Sequence, residues 1–351
     1  MSFFMRLSLP LLILTGVVTL SSSTGSRAQD AAFKGKAIQI LLGYPTGGGV
    51  DSEGRLLAKY LEKHLPGNPA VTVRNMPGAA GLIAANWFEQ FAKPDGLNLH
   101  YGSSTNIVEQ AFAREEVKYN LLNWDLVGAI SRGTPVALMR PDKMDRLKSG
   151  KPLNIGSRSG EDTWSAMFLW GAEYLKWNVR WVLGYGGGGE MRLAFQRGET
   201  DIYATSNLIA LKELMAEGFQ PFVQKGRLLA DGSSKKRVEF PKVPLFDELL
   251  GAHKPAGVSW QAYVTIAGAD DSGRPLHTAK KTPPEIVKIY RDTMARIEKD
   301  REFSAELAKV AGDDAEMLSH TESDPVLRRL LVLPAGAKEF ANNMMKKYLN
   351  R

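Results

Sequence analysis

Two glycine-rich turns contain the residues of this chain that are best suited to bind a ligand. The first turn, Tyr44-Pro45-Thr46-Gly47-Gly48-Gly49-Val50-Asp51, follows a short apolar run at residues 38–42. Consecutive glycines let a backbone approach a ligand closely. The helix expected after the turn begins with N–H groups that lack partners within the helix, at its partially positive end. The turn therefore predicts a binding seat for an anion such as a carboxylate or a phosphate.

Other interpretations of the first turn stay open on these residues alone. The glycines could serve only to turn the chain from a strand into a helix. A phosphate-binding loop would need Lys followed by Ser or Thr after the glycines, whereas Val50, Asp51 and Ser52 stand there. The dinucleotide pattern Gly-x-Gly-x-x-Gly is also not matched, because it would have to end at Ser52. Nucleotide binding therefore has little support.

The elements around the turn predict where such a seat would lie. Residues 38–42 are typical of a buried parallel strand, and apolar residues between Leu56 and Leu65 recur at helical spacing. Further strands are predicted at residues 71–73, 97–101, 153–156, 179–183 and 198–204, with helical patterns between them. Repeated strand–helix–strand units predict sheets with helices on their faces, and ligands bind such sheets at the carboxyl ends of the strands.

The second glycine-rich turn, Gly184-Tyr185-Gly186-Gly187-Gly188-Gly189, also stands between a predicted strand and a predicted helix. Two polar turns follow other strands, at residues 102–106 and 157–164. If two lobes face each other, both helix starts point into one cleft and bind an anion from two sides. Contacts of the ligand to both lobes would then drive a hinge closure.

The first 28 residues predict export. Arg6 precedes an apolar run at residues 7–20, and small residues then lead to Ala28, which together are typical of a cleaved secretory signal peptide. A membrane anchor is the alternative, but the run is short and contains Pro10. Loss of Arg6 and Arg27 with the leader lowers the formal charge from +7 to +5. We expect a soluble mature protein in the periplasm.

Composition argues against several classes of function. The 351 residues include no cysteine, which excludes disulfides, thiolate metal sites and thiol catalysis. The five histidines stand at no metal-ligand spacing. A Ser–His hydrolase built on His100 and the turn at Ser103 and Ser104 has little support, because residues 102–106 lack the Gly-x-Ser-x-Gly pattern. No stretch combines dense Lys and Arg with aromatics, so no nucleic acid is expected as a partner. We predict a binding protein that is not an enzyme and has neither cofactor nor metal.

Four sequence signatures resemble those of the tripartite tricarboxylate transporter substrate-binding receptors, the Bug (TctC) family. They keep the family's order and spacing over residues 38–202, and Thr282-Pro283-Pro284-Glu285 fits its late helix. The signatures are Tyr44-Pro45-Thr46-Gly47-Gly48-Gly49-Val50-Asp51 with Arg55-Leu56-Leu57-Ala58, Val73-Arg74-Asn75-Met76-Pro77-Gly78-Ala79-Ala80-Gly81, Lys93-Pro94-Asp95-Gly96-Leu97-Asn98-Leu99, and Gly184-Tyr185-Gly186-Gly187-Gly188 with Gly198-Glu199-Thr200-Asp201-Ile202.

The resemblance implies an α/β, two-lobed periplasmic binding protein fold of the type II kind, each lobe a mostly parallel sheet flanked by helices. We expect residues 31–135 and 257–351 to form lobe 1, with a strand at residues 258–266 returning to its sheet, and residues 136–256 to form lobe 2. The implied function is to capture a small organic acid, a carboxylate or dicarboxylate, aromatic acids included, and to deliver it to a membrane permease. We expect a monomer. An exported phosphate or sulfate binder, or a sensory receptor, is the alternative.

The resemblance also implies which residues contact the ligand. The family binds a carboxylate largely through backbone amides of both glycine loops, and the expected residues are Tyr44, Thr46, Gly47, Gly48, Gly49, Asp51, Ser103, Ser104, Ser157, Arg158, Ser159, Thr163, Trp164, Tyr185, Gly186 and Gly187.

The chain departs from the family's pattern at two places near these residues. A His is usual after the Ser157–Ser159 segment, where this chain has Glu161-Asp162-Thr163-Trp164, and no basic residue follows Tyr185. Arg158 is either a partner for a distal carboxylate or a surface arginine. Trp164 either covers an apolar ligand or packs in the core.

Overall fold

The computed structural model of the chain describes residues 32–228 and 233–349. The predicted signal peptide, residues 1–28, lies outside the described residues. Within the described ranges, no helix combines the length and the apolar character needed to cross a membrane.

The described residues form two larger sheets with helices on their faces. The strands are β1 (Ala37–Leu42), β2 (Ala70–Asn75), β3 (Asn98–Tyr101), β4 (Asp125–Ser131), β5 (Val136–Met139), β6 (Leu153–Ser157), β7 (Val179–Leu183), β8 (Ile202–Thr205), β9 (Gln220–Gln224), β10 (Arg227–Leu228), β11 (Ser234–Lys235), β12 (Arg274–Thr278) and β13 (Glu316–Ser319). The α-helices are α1 (Gly49–His64), α2 (Leu82–Phe91), α3 (Ser104–Ala111), α4 (Arg146–Ser149), α5 (Ser165–Tyr174), α6 (Gly188–Arg197), α7 (Leu208–Ala216), α8 (Phe246–Leu250), α9 (Gly257–Gly268), α10 (Pro284–Glu298), α11 (Arg301–Ala311), α12 (His320–Leu331) and α13 (Ala335–Leu349).

The two sheets give the chain the predicted two-lobed α/β fold. One sheet has the order β13-β4-β12-β3-β1-β2 and the other β7-β6-β8-β5-β9. Parallel pairs surround β1 and β6, as the strand–helix–strand pattern predicts. Around β4, β5 and β12, where the chain passes between the sheets, the pairing is antiparallel. The sheets are therefore mixed and not mostly parallel as expected, because the strands at the passages between the sheets pair antiparallel.

Strand β1 shows how the sequence builds these layers. Its alternate residues face opposite sides of the sheet, as the two-residue period of a strand requires. Ile40 belongs to the apolar cluster that includes Leu57 of α1, whereas Leu41 belongs to the cluster that includes Phe88 of α2. All four side chains are at most 1% exposed. Burial on both faces fixes the register of β1, and with it the position of the glycine turn that follows.

The strand predicted at residues 258–266 is wrong, because these residues lie in helix α9. The buried residues Ser259, Ala262, Tyr263 and Ile266 recur at i, i+3, i+4 and i+7, which is the spacing of a helix face. The prediction of a strand rested on a nearly continuous apolar run. In such a run, periodicity does not distinguish a buried strand from a buried helix. The strand that returns to the first sheet is β12.

Helix α9 packs mainly against other helices. It packs against α13 and against α5, which follows β6 of the second sheet. The indole Nε1 of Trp170 in α5 donates a hydrogen bond of 3.2 Å to the Ser259 hydroxyl, and the rings of Trp170 and Tyr263 lie 5.7 Å apart. The lobe boundaries stay a prediction, but α9 and α13 lie against the second lobe's helix although the sequence assigned them to lobe 1.

Two histidines are buried without charge in the first sheet. His100 and His277 face each other across the β3–β12 pair, and their ring centroids lie 5.1 and 5.6 Å from that of Trp124. Each is 1% exposed. Burial lowers the pKa of both imidazoles to about 3. At His277 the positive charges of protonated His100 and of Arg328 lower the pKa further. Both rings are therefore neutral in the folded protein.

This burial predicts loss of stability in mild acid. Below pH 6.5 the unfolded chain binds protons at both histidines and the folded chain does not, so the free energy of unfolding falls as the pH falls toward 3. At pH 5 we expect a loss of about 2 kcal/mol per histidine relative to pH 7. Urea unfolding at both pH values checks this. The exposed His253→Gln variant should keep the loss, and His100→Leu should reduce it; an unchanged pH dependence in His100→Leu contradicts the explanation.

Candidate functional site

Both glycine-rich turns open on one cleft of about 310 Å³. Residues 47–49 line it from the first turn and residues 187–189 from the second. A Cβ atom added at Gly187 would lie 3.9 Å from Cγ of Pro45, so the two turns approach each other closely. The predicted arrangement of two glycine turns from different sheets facing one space is present.

Helices α1 and α6 begin at this cleft. The residues before them, Gly48 and Gly187, have extended backbones and no capping side chain. The first N–H groups of a helix have no acceptor within it, and the aligned peptide dipoles make that end partially positive. Two such helix starts on one cleft favour a negatively charged group there.

A carboxylate from the following helix shapes each turn. The N–H of Gly47 donates to Oδ2 of Asp51 at 2.9 Å, and the N–H of Gly186 donates to Oε2 of Glu190 at 2.8 Å. Asp51 is 3% exposed and accepts two further hydrogen bonds, from Asn75 and Arg55. Burial raises the pKa of Asp51, but the hydrogen bonds from Arg55 and Gly47 outweigh it and lower the pKa. The amides of Gly47 and Gly186 are thus engaged within their own turns.

The cleft brings most of the sequence-predicted residues together. Ten of them line it: Tyr44, Gly47, Gly48, Gly49, Ser103, Ser104, Arg158, Thr163, Trp164 and Gly187. Six others do not: Thr46, Asp51, Ser157, Ser159, Tyr185 and Gly186. Contact of any of them with a ligand stays a prediction.

Two serines outside the lining form hydrogen bonds within their own turn. The Ser157 hydroxyl is fully buried, donates to Oδ2 of Asp162 at 2.7 Å and accepts from the Gly160 N–H at 2.8 Å. The Ser159 hydroxyl accepts from the Glu161 N–H. These two serines therefore shape the turn at residues 157–164.

Two more residues of this group lie at the margins of the turns. The Tyr185 ring packs on Gly156, where an added Cβ would lie 2.9 Å from Cε2. Thr46 is exposed.

Arg158 lies in the cleft with its charge already balanced. Its Nε donates to Oδ1 of Asp162 at 2.7 Å, Nη2 also bonds Asp162, and Nη2 donates to the Thr105 hydroxyl at 3.2 Å. The guanidinium stands 5.1 Å from the centre of the Tyr44 ring. Burial lowers the pKa of Arg158, but Asp162 outweighs this effect and raises it. The predicted role toward a distal carboxylate stays a prediction, and Asp162 competes for it.

Hydroxyl groups from both lobes meet on Asp270, which sequence reasoning missed. The Ser104 hydroxyl donates to Oδ1 of Asp270 at 2.9 Å, and the Thr163 hydroxyl donates to Oδ2. Tyr44 similarly ties the first turn to the polar turn after β3, because its hydroxyl lies 2.5 Å from that of Ser103. Trp164 is 6% exposed and its ring lies 6.3 Å from that of Trp181, so it serves the core as well as the cleft wall.

A buried carboxylate with two arginines lies beneath the first turn, and sequence reasoning missed this group as well. Glu53 of α1 is fully buried; Oε1 accepts from Nε and Nη2 of Arg132, and Oε2 accepts from Nη1 of Arg274 at 2.7 Å. The Tyr101 hydroxyl donates to Oε2 at 2.7 Å. Burial raises the pKa of Glu53, but Arg132 and Arg274 together lower it below the usual value. We call Glu53, Arg132 and Arg274 the arginine triad; both arginines line the cleft.

One signal in the sequence could have revealed the triad. Glu53 stands on the apolar stripe of α1, three residues after Val50 and four before Leu57, all of which are buried. A charged residue on a buried face needs a charged partner. The partners themselves could not be found this way, since Arg132 and Arg274 come from distant parts of the chain.

The cleft has further lining residues that the sequence did not predict, and most of them come from the second lobe. They are Pro45, Val50, Arg132, Pro135, Asp162, Gly188, Gly189, Met191, Arg192, Tyr203, Ala204, Thr205, Ser206, Asn207, Ala210, Asp270 and Arg274. Across residues 32–228 and 233–349, no cluster of three or more potential metal ligands occurs.

The triad predicts a large stability cost for neutralising its carboxylate. Glu53→Gln leaves two guanidiniums without a shared anion in a buried site, and we expect it to lower the free energy of unfolding by about 3 kcal/mol or more. Tyr101→Phe removes only one neutral donor and should cost about 1 kcal/mol. Urea unfolding of both variants beside the native chain measures this; equal costs would show that the charge of Glu53 does not stabilise the fold.

Comparison with known proteins confirms the resemblance predicted from the sequence. No protein-family model matches the chain. A curated relative, the UPF0065 protein in the gbd 5' region of Cupriavidus necator, is 27% identical over 298 residues, which span 78% of this chain and 82% of the relative.

Two solved structures share the fold. A TctC solute-binding protein from Polaromonas, without ligand, superposes with a TM-score of 0.58 at 19% identity, covering 89% of this chain and 98% of the other. The R. palustris protein Rpa4515, solved with adipate, gives a TM-score of 0.63 at 17% identity, covering 89% and 97%. These matches confirm the predicted periplasmic binding protein fold.

Proposed function

We propose that this chain is a periplasmic receptor for small organic acids, which binds a ligand carboxylate at the starts of α1 and α6. One observation carries the proposal: α1 follows a strand of one sheet and α6 a strand of the other, and both helices begin at the same cleft without a capping side chain. Each contributes N–H donors and about half a positive charge. Such a site binds an anion through the main chain and needs no reacting side chain.

Side-chain charges beneath the first turn support an anionic ligand there, while Asp270, which accepts from the hydroxyls of Ser104 and Thr163, adds one carboxylate to the lining of the cleft. Arg158 is neutralised by Asp162, and Arg192 is paired with Glu213 at 2.6 Å. Arg132 and Arg274 share the single carboxylate of Glu53, which leaves one positive charge in excess beneath the first turn. The adipate bound by the structurally similar R. palustris protein supports a carboxylate as the anion.

The handover of the ligand follows from the same proposal. A ligand that contacts both glycine turns holds the lobes together, and the closed form is what a membrane permease would recognise. Periplasmic location, a permease of the tripartite tricarboxylate kind and a monomeric receptor are parts of this proposal, supported by the likeness to a TctC solute-binding protein.

A thermal-shift screen of the chain without residues 1–28 tests the ligand class. The panel contains malate, adipate and benzoate, with phosphate, sulfate and an uncharged diol as controls. A ligand at about 100 times its dissociation constant adds about 2.7 kcal/mol to the free energy of unfolding, which raises Tm by several degrees. Stabilisation by carboxylates alone supports the proposal. Stabilisation by phosphate or sulfate alone would instead identify a receptor for another anion.

Substitution of Gly48 separates charge at the seat from helix stability. Gly48 has an extended backbone, and an added Cβ would meet only the Pro45 carbonyl oxygen, at 3.7 Å, so a side chain fits there. Asp and Asn are both favoured before a helix, so Gly48→Asp and Gly48→Asn should keep or slightly raise Tm. We expect Gly48→Asp to abolish carboxylate binding through like-charge repulsion, and Gly48→Asn to bind more tightly than Gly48→Asp. Calorimetric titration with adipate distinguishes the two; equal affinity in both variants contradicts the location of the seat.

A further inference from the structure

We infer that Arg132 contacts the ligand, and that the buried Glu53 holds its guanidinium beside the start of α1, so that the first seat binds an ionised carboxylate by a charged side chain as well as by amides. The inference rests on the proposed function. It adds to the main-chain amides of the proposed site a charged side chain, which favours an ionised acid over a neutral ligand.

The position of the Arg132 guanidinium is fixed by its surroundings. Its side chain is 5% exposed, and both Nε and Nη2 bond the Glu53 carboxylate. Nη2 also lies 3.5 Å from the Gly49 carbonyl oxygen. Nη1 has no acceptor among the residues that the structure describes, and it is not one of their fully buried polar atoms, so it is accessible from solvent. This nitrogen is therefore available to an acceptor that enters the cleft.

Gly49 brings that nitrogen and the helix start together. A Cβ added at Gly49 would lie 3.0 Å from Nη2 and 3.4 Å from Nη1 of Arg132. Only a residue without a side chain leaves the guanidinium this close to the first N–H groups of α1. A carboxylate on the helix start is then within reach of Nη1, and a guanidinium donates to a carboxylate through short, charge-assisted hydrogen bonds.

The charge balance of the arginine triad distinguishes this role from a purely structural ion pair. One carboxylate, Glu53, faces two guanidiniums, so Arg132 and Arg274 are not both neutralised. Both arginines line the cleft, and the Arg274 side chain is 23% exposed. The excess positive charge is therefore only partly buried, and an anion that enters the cleft can balance it. The ligand class that fits is an acid ionised at the first seat, and an amide or alcohol in that place loses the charged contact.

Calorimetric titration with adipate and malate tests the inference on Arg132→Met, Arg132→Lys and the native chain. A hydrogen bond to a charged group corresponds to about a 10- to 100-fold change in affinity. We expect Arg132→Met to bind at least about 10-fold more weakly. Arg132→Lys should fall between the two, because lysine keeps the charge without the planar fork. The dissociation constant of the native chain should rise with added salt more steeply than that of Arg132→Met.

Arg291→Met is the matched control, because Arg291 donates to the Leu126 carbonyl and does not line the cleft. It should bind adipate like the native chain, and the Tm of each unliganded variant shows that it is folded. If Arg132→Met and Arg132→Lys bind adipate as the native chain does, with the same salt dependence, the inference is wrong and the proposed function stands. If no carboxylate of the thermal-shift panel binds the native chain, the proposed function and the inference both fail.

Discussion

The structure of the cleft depends on one constraint: the N–H groups at the start of a helix must find acceptors outside that helix. Three of the described α-helices meet it with a side chain that accepts at the first turn: α3 with Ser103, α7 with Asn207 and α11 with Asp300. Helices α1 and α6 begin instead at glycines that have no side chain to offer. Both helices begin at the same cleft, so a ligand that enters it can accept hydrogen bonds from the first N–H groups of each.

The two turns meet this constraint in the same way although they belong to different sheets. In each, a carboxylate four residues ahead accepts the N–H of an early glycine, Asp51 for Gly47 and Glu190 for Gly186. This bond fixes the turn while leaving the next amides without an internal partner. The lobes differ beneath the turns, because the first has the arginine triad buried under it. The first side of the cleft therefore carries a charge that the main chain alone does not provide.

Much of this could be predicted from the sequence because it depends on local patterns. The glycine turns, the strands before them and the α/β class follow from residue spacing, and the four signatures indicated the kind of protein. The strand expected at residues 258–266 failed because a nearly continuous apolar run fits a buried helix as well. Arg132, Arg274 and Asp270 were missed because their role depends on contacts between distant segments. Ser157 was expected to contact the ligand, but a sequence does not show that its hydroxyl is bonded to Asp162 outside the lining of the cleft.

A seat made of main-chain N–H groups has a consequence for how such a protein can diverge. The donors at the starts of α1 and α6 belong to the backbone, so most substitutions leave them in place. The glycines and the two carboxylates that accept from them, Asp51 and Glu190, fix the shape of the turns. The walls of the cleft, supplied by side chains such as those of Thr205 and Met191, take no part in that anchoring. New ligand preferences can therefore evolve by changing the walls while the anchoring geometry is inherited unchanged. The same fold at 17–19% identity to solved structures is consistent with that freedom.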